Sequence, residues 1–228
     1  MVRRAIPLAR VMDLPRGAVV SVNVGRARAV ERDGTPATTA IWKLPVSRRV
    51  RAEGVNLDGD EQADRKVHGG HDKALYAYAL EDTRRWETEL GRRVGPGGFG
   101  ENLTVEGLQL IDSVVGERWV VGSAVLEVSE PRIPCWKLGL RMGDASFPRR
   151  FTRAGRPGTY LRIVEPGDIG AGDAVRVVSR PDHGFTVGDI WRVYHHDRRE
   201  AASLLEVPQL GESWRSWAAG RVQRMAES

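Results

Sequence analysis

A single cysteine, Cys135, occurs among 228 residues, so no internal disulfide can staple the chain. If that sulfur does more than pack as a small hydrophobe, it acts as a thiolate: a nucleophile, a sulfur carrier or one ligand of a soft metal. No apolar run is long enough for a transmembrane helix, and Met1–Arg10 lacks the apolar centre of a signal peptide. With one cysteine and no export signal, a reducing cytoplasm is the expected compartment. No haem-attachment motif or flavin fingerprint is present, so a redox function would draw its electrons from a separate protein. Internal repeats and low-complexity segments are absent as well. Lysine is scarce: of 35 basic residues, only Lys43, Lys66, Lys73 and Lys137 are lysine.

What is present describes a globular chain. Hydrophobic residues make up 41% and the length is enough to bury a real core. The formal charge of +5 carries less information than its distribution. Residues 181–228 hold six arginines and seven acids, and the basic excess of the first 180 residues is spread without forming an arm. Nucleic-acid binding is therefore not indicated. The lysines, by contrast, gather in three short segments, Thr39–Val46, Asp64–Lys73 and Pro131–Lys137. A compact, rotatable ammonium is not replaced by a planar guanidinium, so these segments are candidates for one anion-binding site that includes Cys135.

From Ala18 to about Arg180 the pattern is short strands and glycine-rich turns, which predicts a closed or nearly closed β-barrel. Val19–Val24 is a strand. Arg118–Val121 and Ala124–Ser129 flank Gly122-Ser123 as a hairpin. Thr159–Val164 and Ala174–Ser179 are separated by two turns, Glu165–Asp168 and Gly170–Asp173. Ala74–Ala79 reads as extended, with Tyr76 and Tyr78 on one face. Asp82 then caps the one helix of this region, which Gly91 ends. After Arg180 the pattern becomes helical. Thr186 with Asp189 makes a capping box, Asp197 with Glu200 opens a second helix to about Glu206, and Glu212–Met225 forms a third with Trp214, Trp217 and Val222 on its apolar face. Three short helices cannot bury a large core alone, so they should dock on the barrel. The predicted division is residues 1–180 as the barrel domain and 181–228 as a three-helix appendage.

Three segments carry chemistry. In Gly59–Lys73, His68 and His71 stand near Asp60 and Asp64, but Gly69-Gly70 breaks any helix that would align the histidines for zinc. Exposed N–H groups of Gly69 and Gly70, with Lys66, His68 and Lys73, suit a phosphate or other oxyanion better. In Gly95–Leu103, four glycines in six residues permit close backbone approach or unusual φ/ψ, and Glu101 and Asn102 offer groups for a heterocycle edge. In Glu130–Lys137, Arg132 and Lys137 favour the Cys135 thiolate, and Pro131 and Pro134 restrict the approaching backbone.

Together, Lys66-Val67-His68-Gly69-Gly70, Phe99-Gly100-Glu101-Asn102-Leu103, Pro131-Arg132-Ile133-Pro134-Cys135 and the closing Gly172-Asp173 resemble, in order, the MOSC-domain proteins. That family comprises the C-terminal domain of molybdenum-cofactor sulfurases and its relatives. The likeness runs from about Val19 over nearly the whole chain. It includes Thr39–Val46, Gly59–Asp64 and a tail similar to the appendage of the stand-alone bacterial YiiM type, notably Glu212-Ser213-Trp214-Arg215. The resemblance implies a mostly β fold with interspersed helices, built on a barrel that holds the molybdenum cofactor (molybdopterin). It makes Cys135 the ligand to molybdenum and the catalytic residue. Lys43, Lys66, His68, Gly69, Gly70, Glu101, Asn102 and Arg132 fall at cofactor-binding positions. The implied activity is reduction of N-hydroxylated compounds, such as N-hydroxylated nucleobases, with electrons from an external flavin-reductase-type or haem partner and no internal flavin or haem. A homodimer, and pyridoxal phosphate binding at the level of the family, are further implications. A persulfide carrier on Cys135 and a non-catalytic cofactor carrier are the competing readings. The chain departs from the subgroup at Ala40, Trp42 and Leu44, which keeps Lys43, loses a second positive group and places Trp42 where it would reshape the pocket mouth.

Overall fold

The structure, a computed structural model, describes residues 14–63 and 69–227. Seven strands close into a barrel: β1 (Arg16–Val24), β7 (Leu75–Ala79), β8 (Leu103–Glu106), β9 (Arg118–Val121), β10 (Ala124–Pro131), β11 (Thr159–Glu165) and β13 (Ala174–Ser179). Their order is β13-β9-β10-β11-β7-β8-β1, and pairing of β1 with β13 closes the ring and leaves no open edge. Every neighbouring pair is antiparallel except β7 with β8. That parallel pair needs a crossover, which α1 (Leu80–Leu90) supplies. Outside the ring lie a hairpin of β2 (Arg28–Arg32) and β3 (Thr35–Thr39), the short β4 (Leu44–Val46) on β1, and a small sheet of β12 (Gly167–Ile169), β5 (Val50–Glu53) and β6 (Asn56–Leu57).

The alternation of strand side chains divides the apolar residues between two cores. Val19, Val22, Leu103, Trp119, Leu126 and Leu161 fill the barrel. Strand β7 is buried on both faces: Leu75, Ala77 and Ala79 face the barrel, while Tyr76 and Tyr78 face a second cluster. That cluster, with Trp86, Phe99, Phe147 and Phe151, seats α1, α2 (Trp136–Met142) and α3 (Phe147–Ala154) on the outside of the barrel. Trp86 stacks on Phe151 at 6.1 Å and donates its indole N–H to the Tyr78 hydroxyl at 2.9 Å, which satisfies the one polar group that the buried indole brings.

The tail is α4 (Val187–His195), a 3-10 segment (Arg198–Glu206) and α5 (Glu212–Ala226). It shares a third cluster with Val115, in the turn before β9, while Val187 enters the barrel core. Backbone bonds Val187 N–H to Ser113 O and Val115 N–H to Phe185 O hold it in place. The helices are thus docked, as their small size requires.

Four local expectations change. Helix α1 begins at Leu80 with Ala79 as its N-cap, so Asp82 lies inside the first turn. Gly167–Ile169 is a strand paired with β5 instead of a turn, and a Cβ at Gly167 would stand 2.3 Å from the Ala124 nitrogen. Helices α2 and α3 add to the single helix expected within the barrel region. They are short, and Gly139 and Pro148 disguise their periodicity. The second tail helix does run from an Asp197 N-cap to Glu206, but it is a 3-10 segment and neither Asp197 nor Glu200 caps it through its side chain. Both carboxylates instead grip Arg192, at 2.6 and 2.8 Å.

Candidate functional site

Cys135 ends the irregular segment after β10 and is the N-cap of α2, with its carbonyl accepting the Leu138 N–H at 2.9 Å. Its side chain is half-buried on the wall of a cavity with about 610 Å³ of empty space, open solvent included. Lys43, Lys73, Lys137, Arg132, Asn102 and Tyr160 line the same cavity. Three of the four lysines, far apart in sequence, therefore line the same cavity as the thiol. Lys66 and His68 lie outside the described residues.

The cations differ in how they are held. Lys43 is buried and paired with Asp60, whose side chain is only 1% exposed. Burial lowers the Lys43 pKa, against the opposing attraction of Asp60 and Glu101. Asp60 also accepts from the Gly25 N–H at 2.8 Å and the Asn102 amide at 3.0 Å. Among the described residues it is one of two acidic residues on the cavity wall, with Glu61, and its three donors could not be read from one sequence. Arg132 donates to the Phe99 carbonyl at 2.7 Å and lies over the Tyr76 ring at 4.8 Å. Burial opposes its charge, but attraction to Tyr76, Tyr160 and Cys135 prevails and raises its pKa. Desolvation pushes the Tyr160 phenol up to about 12, so the hydroxyl keeps its proton at neutral pH.

The glycine-rich segment behaves differently. Glu101 is fully buried and does not line the cavity; its carboxylate accepts from Gly97 N–H (2.6 Å), Phe99 N–H (3.0 Å) and the Thr104 hydroxyl (2.8 Å). It folds its own loop instead of presenting an acceptor to a ligand, contrary to the expectation of a heterocycle contact. Asn102 does reach the cavity wall, yet its carbonyl accepts the Tyr76 N–H at 3.1 Å and its amide is engaged by Asp60. The glycines serve the same local purpose. Gly97 has φ of 75°, and a Cβ there would stand 2.5 Å from the Lys43 carbonyl. Close approach is required here by the chain itself.

Gly69 and Gly70 are partly buried but are not among the residues lining this cavity, and the Gly70 N–H is taken by Gln62 Oε1 at 3.1 Å. Trp42 also stays off the wall, with the Arg28 guanidinium 3.3 Å above its ring. Leu44 is 69% exposed, so the charge lost there is lost from the surface and not from the cavity wall. The closing Asp173 is structural: it receives both guanidinium nitrogens of Arg49 at 2.8 Å and the Gly170 N–H at 2.9 Å. No group of three or more His, Cys, Asp or Glu side chains among the described residues is placed to hold a metal. No helix among them is long and apolar enough to cross a membrane.

The fold is thus a closed barrel with one thiol and several cations on the wall of a cavity beside it. The MOSC domain profile matches residues 64–176, and the profile of the YiiM-like, 3-alpha helix domain matches residues 185–224. YflK of Bacillus subtilis is 35% identical over 208 residues, covering 90% of this chain and 94% of the relative. The crystal structure of YiiM from Geobacillus stearothermophilus superposes with a TM-score of 0.76 at 32% identity, covering 91% of this chain and 99% of that one. A protein of Gibberella moniliformis named Reductase is 30% identical over 85% of this chain, which spans 35% of its length. The chain belongs to the MOSC-domain family, in the branch that carries the YiiM-like three-helix domain.

Proposed function

We propose that this protein holds the molybdenum cofactor in the cavity on the outside of the barrel, with Cys135 as the protein ligand to the metal, and reduces N-hydroxylated compounds. The observation that carries this reading is the convergence of Cys135, Lys43, Lys73, Lys137 and Arg132 on one cavity wall. The donor set fits the group: a thiol matches a soft metal, and ammonium and guanidinium groups match a phosphate-bearing ligand. The relative named Reductase supports a redox role of the same kind. When bound, the cofactor supplies two-electron chemistry at molybdenum. The chain's own residues bind and orient. Lys73 and Lys137 present cationic side chains to the cavity, Arg132 is held rigidly by Phe99 and the Tyr76 ring, and Tyr160 retains a proton that can be donated in a hydrogen bond. Reduction of an N–OH group to N–H consumes two electrons and two protons and releases water. The electrons come from a separate flavin- or haem-containing donor, because no motif for either occurs in this chain.

The test is expression in a host that makes the cofactor, elemental analysis, and turnover with a reduced flavin or viologen donor. Stoichiometric molybdenum and conversion of an amidoxime or N-hydroxylated base to the parent amidine or amine are the expected results. A molybdenum-free protein that carries a transferable persulfide on Cys135, with no N-reduction in any loaded form, would overturn the proposal.

A further inference from the structure

Where the tail meets the barrel, two carboxylates face the head of a helix. Gly211 is the N-cap of α5, and a Cβ on it would stand 2.5 Å from Glu130 Oε2 and 3.0 Å from Asp72 Oδ2. Only a residue without a side chain lets both oxygens come so close. The Glu212 N–H, in the first turn of α5, donates to Asp72 Oδ2 at 3.3 Å. The dipole and the unpaired N–H groups of a helix favour negative charge at this end, and here the barrel side supplies it. Burial raises the Glu130 pKa, and the Lys73 ammonium and the Trp214 indole oppose that rise, though no hydrogen bond of ordinary geometry reaches Oε2.

The same two carboxylates sit beside residues that build the cavity. Asp72 precedes Lys73 in the 3-10 turn His71–Lys73, and Glu130 lies near the end of β10, just ahead of the segment that carries Arg132 and Cys135. Glu130 is buried, and its Oε1 stands 3.4 Å from the Lys73 ammonium. The Ser129 hydroxyl donates to the Asp72 carbonyl, and Arg162 on β11 bridges Asp72 at 2.7 Å and Glu127 at 2.8 Å. The turn that carries Lys73 is thus held by β10 and β11 on one side and by the head of α5 on the other. A buried ion pair adds little net stability over an apolar contact, and Ile190, Leu204 and Leu210 already pack the tail. What the pair does fix is where the Lys73 side chain points.

We propose that the helical tail is a positioning element of the cavity: the head of α5 holds Asp72 and Glu130, and through them sets the Lys73 ammonium on the cavity wall. Asp72, Glu130 and Gly211 are positioning residues, and none of the three lines the cavity itself. The inference rests on the reading of the cavity as the seat of a phosphate-bearing ligand. It goes further in giving the tail a part in that site beyond docking.

The test is binding of inorganic phosphate to the full chain, made in a host that lacks the cofactor and followed by calorimetry at low ionic strength. Gly211→Ala changes no charge, and its added methyl drives Glu130 and Asp72 off the head of α5. It should weaken phosphate binding by about threefold to tenfold, against about tenfold for Lys73→Ala, the loss expected for one charge-assisted hydrogen bond. In the Lys73→Ala background, Gly211→Ala should cause no further loss, a coupling that general loosening of the fold does not produce. Gly220→Ala, further along the same helix, should leave phosphate affinity at the wild-type value. If Gly211→Ala fails to fold, Trp214→Phe, which removes the indole N–H and keeps a ring, carries the same cycle with the same expectation. Unchanged phosphate affinity in the folded variant, or a loss as large without Lys73 as with it, would overturn the positioning role and leave the cofactor reading standing. Absence of phosphate binding by the wild type would sink the anion-holding reading of the cavity and this inference with it. The expected cycle in a protein that never retains molybdenum would uphold the positioning role and sink the cofactor reading.

Discussion

Two segments flank the cavity, Gly95–Leu103 and Pro131–Lys137, and both carry residue types that a ligand would need. They use them in opposite ways. In the first, the Glu101 carboxylate and the Asn102 amide are consumed by the chain: Gly97, Phe99 and Thr104 for one, Tyr76 and Asp60 for the other. In the second, Cys135 and Lys137 both line the cavity, whereas Glu101 of the first does not. Arg132 joins the two, since its guanidinium faces the cavity while donating to the Phe99 carbonyl. The lesson concerns motifs generally. A dense cluster of polar and glycine residues marks a place where the backbone must do something unusual, and the ligand contacts can belong to the plainer segment beside it.

Substitutions can break this contrast. The largest effect is expected for Cys135→Ser: molybdenum, measured by elemental analysis of protein made in a cofactor-competent host, should be lost altogether. Its unfolding free energy should stay within about 1 kcal/mol of wild type, the range of mild substitutions. Retained stoichiometric metal would remove Cys135 from the coordination sphere. Glu101→Ala should do the reverse. It strands two backbone N–H groups and a hydroxyl in a fully buried site, at a cost of about 3–5 kcal/mol from the penalty for unsatisfied donors. Chemical denaturation measures that loss, and an unfolding free energy near wild type would show that the loop does not depend on this carboxylate.

A smaller effect sharpens the same point through pH. Burial raises the Glu101 pKa above its ordinary 4.5, despite the hydrogen bonds from Thr104, Gly97 and Phe99. Because the folded state holds the proton more tightly than the unfolded chain, the stabilising contribution is complete below the unfolded value and is lost as pH rises through the folded one. Relative to Glu101→Gln, the wild type should therefore lose stability as pH climbs from below 4.5 toward neutrality. A wild type that gains stability over that interval relative to the variant would reverse the assigned direction.

Much of the architecture was legible from local pattern. The Gly122-Ser123 hairpin, the Thr186–Asp189 capping box and the Gly91 helix stop each depend on residues within a few positions of one another, and all three are found. The short helices α2 and α3 were not legible, because Gly139 and Pro148 sit where helical periodicity would be read. Gly139 is required there by close packing: a Cβ on it would stand 3.0 Å from the Asp144 carbonyl. The small sheet of β12, β5 and β6 was hidden for a different reason. Its strands are two to four residues long, and its pairing joins Val50 to Ile169 across more than a hundred positions.

For the site, the sequence by itself determined the ingredients: one thiol, four lysines in three segments, a family likeness, and a tail too small to stand alone. Only the tertiary structure decided which of these share a wall. Packing of the connections against the barrel puts Lys43, Lys73 and Lys137 on one cavity wall with Cys135 and leaves Glu101 buried. Docking of the tail likewise sets Gly211 against Asp72 and Glu130. The physical reason is that residue type records what a side chain is able to bind. Which partner it finds depends on long-range pairing, and a buried polar group takes the nearest donor that the fold supplies.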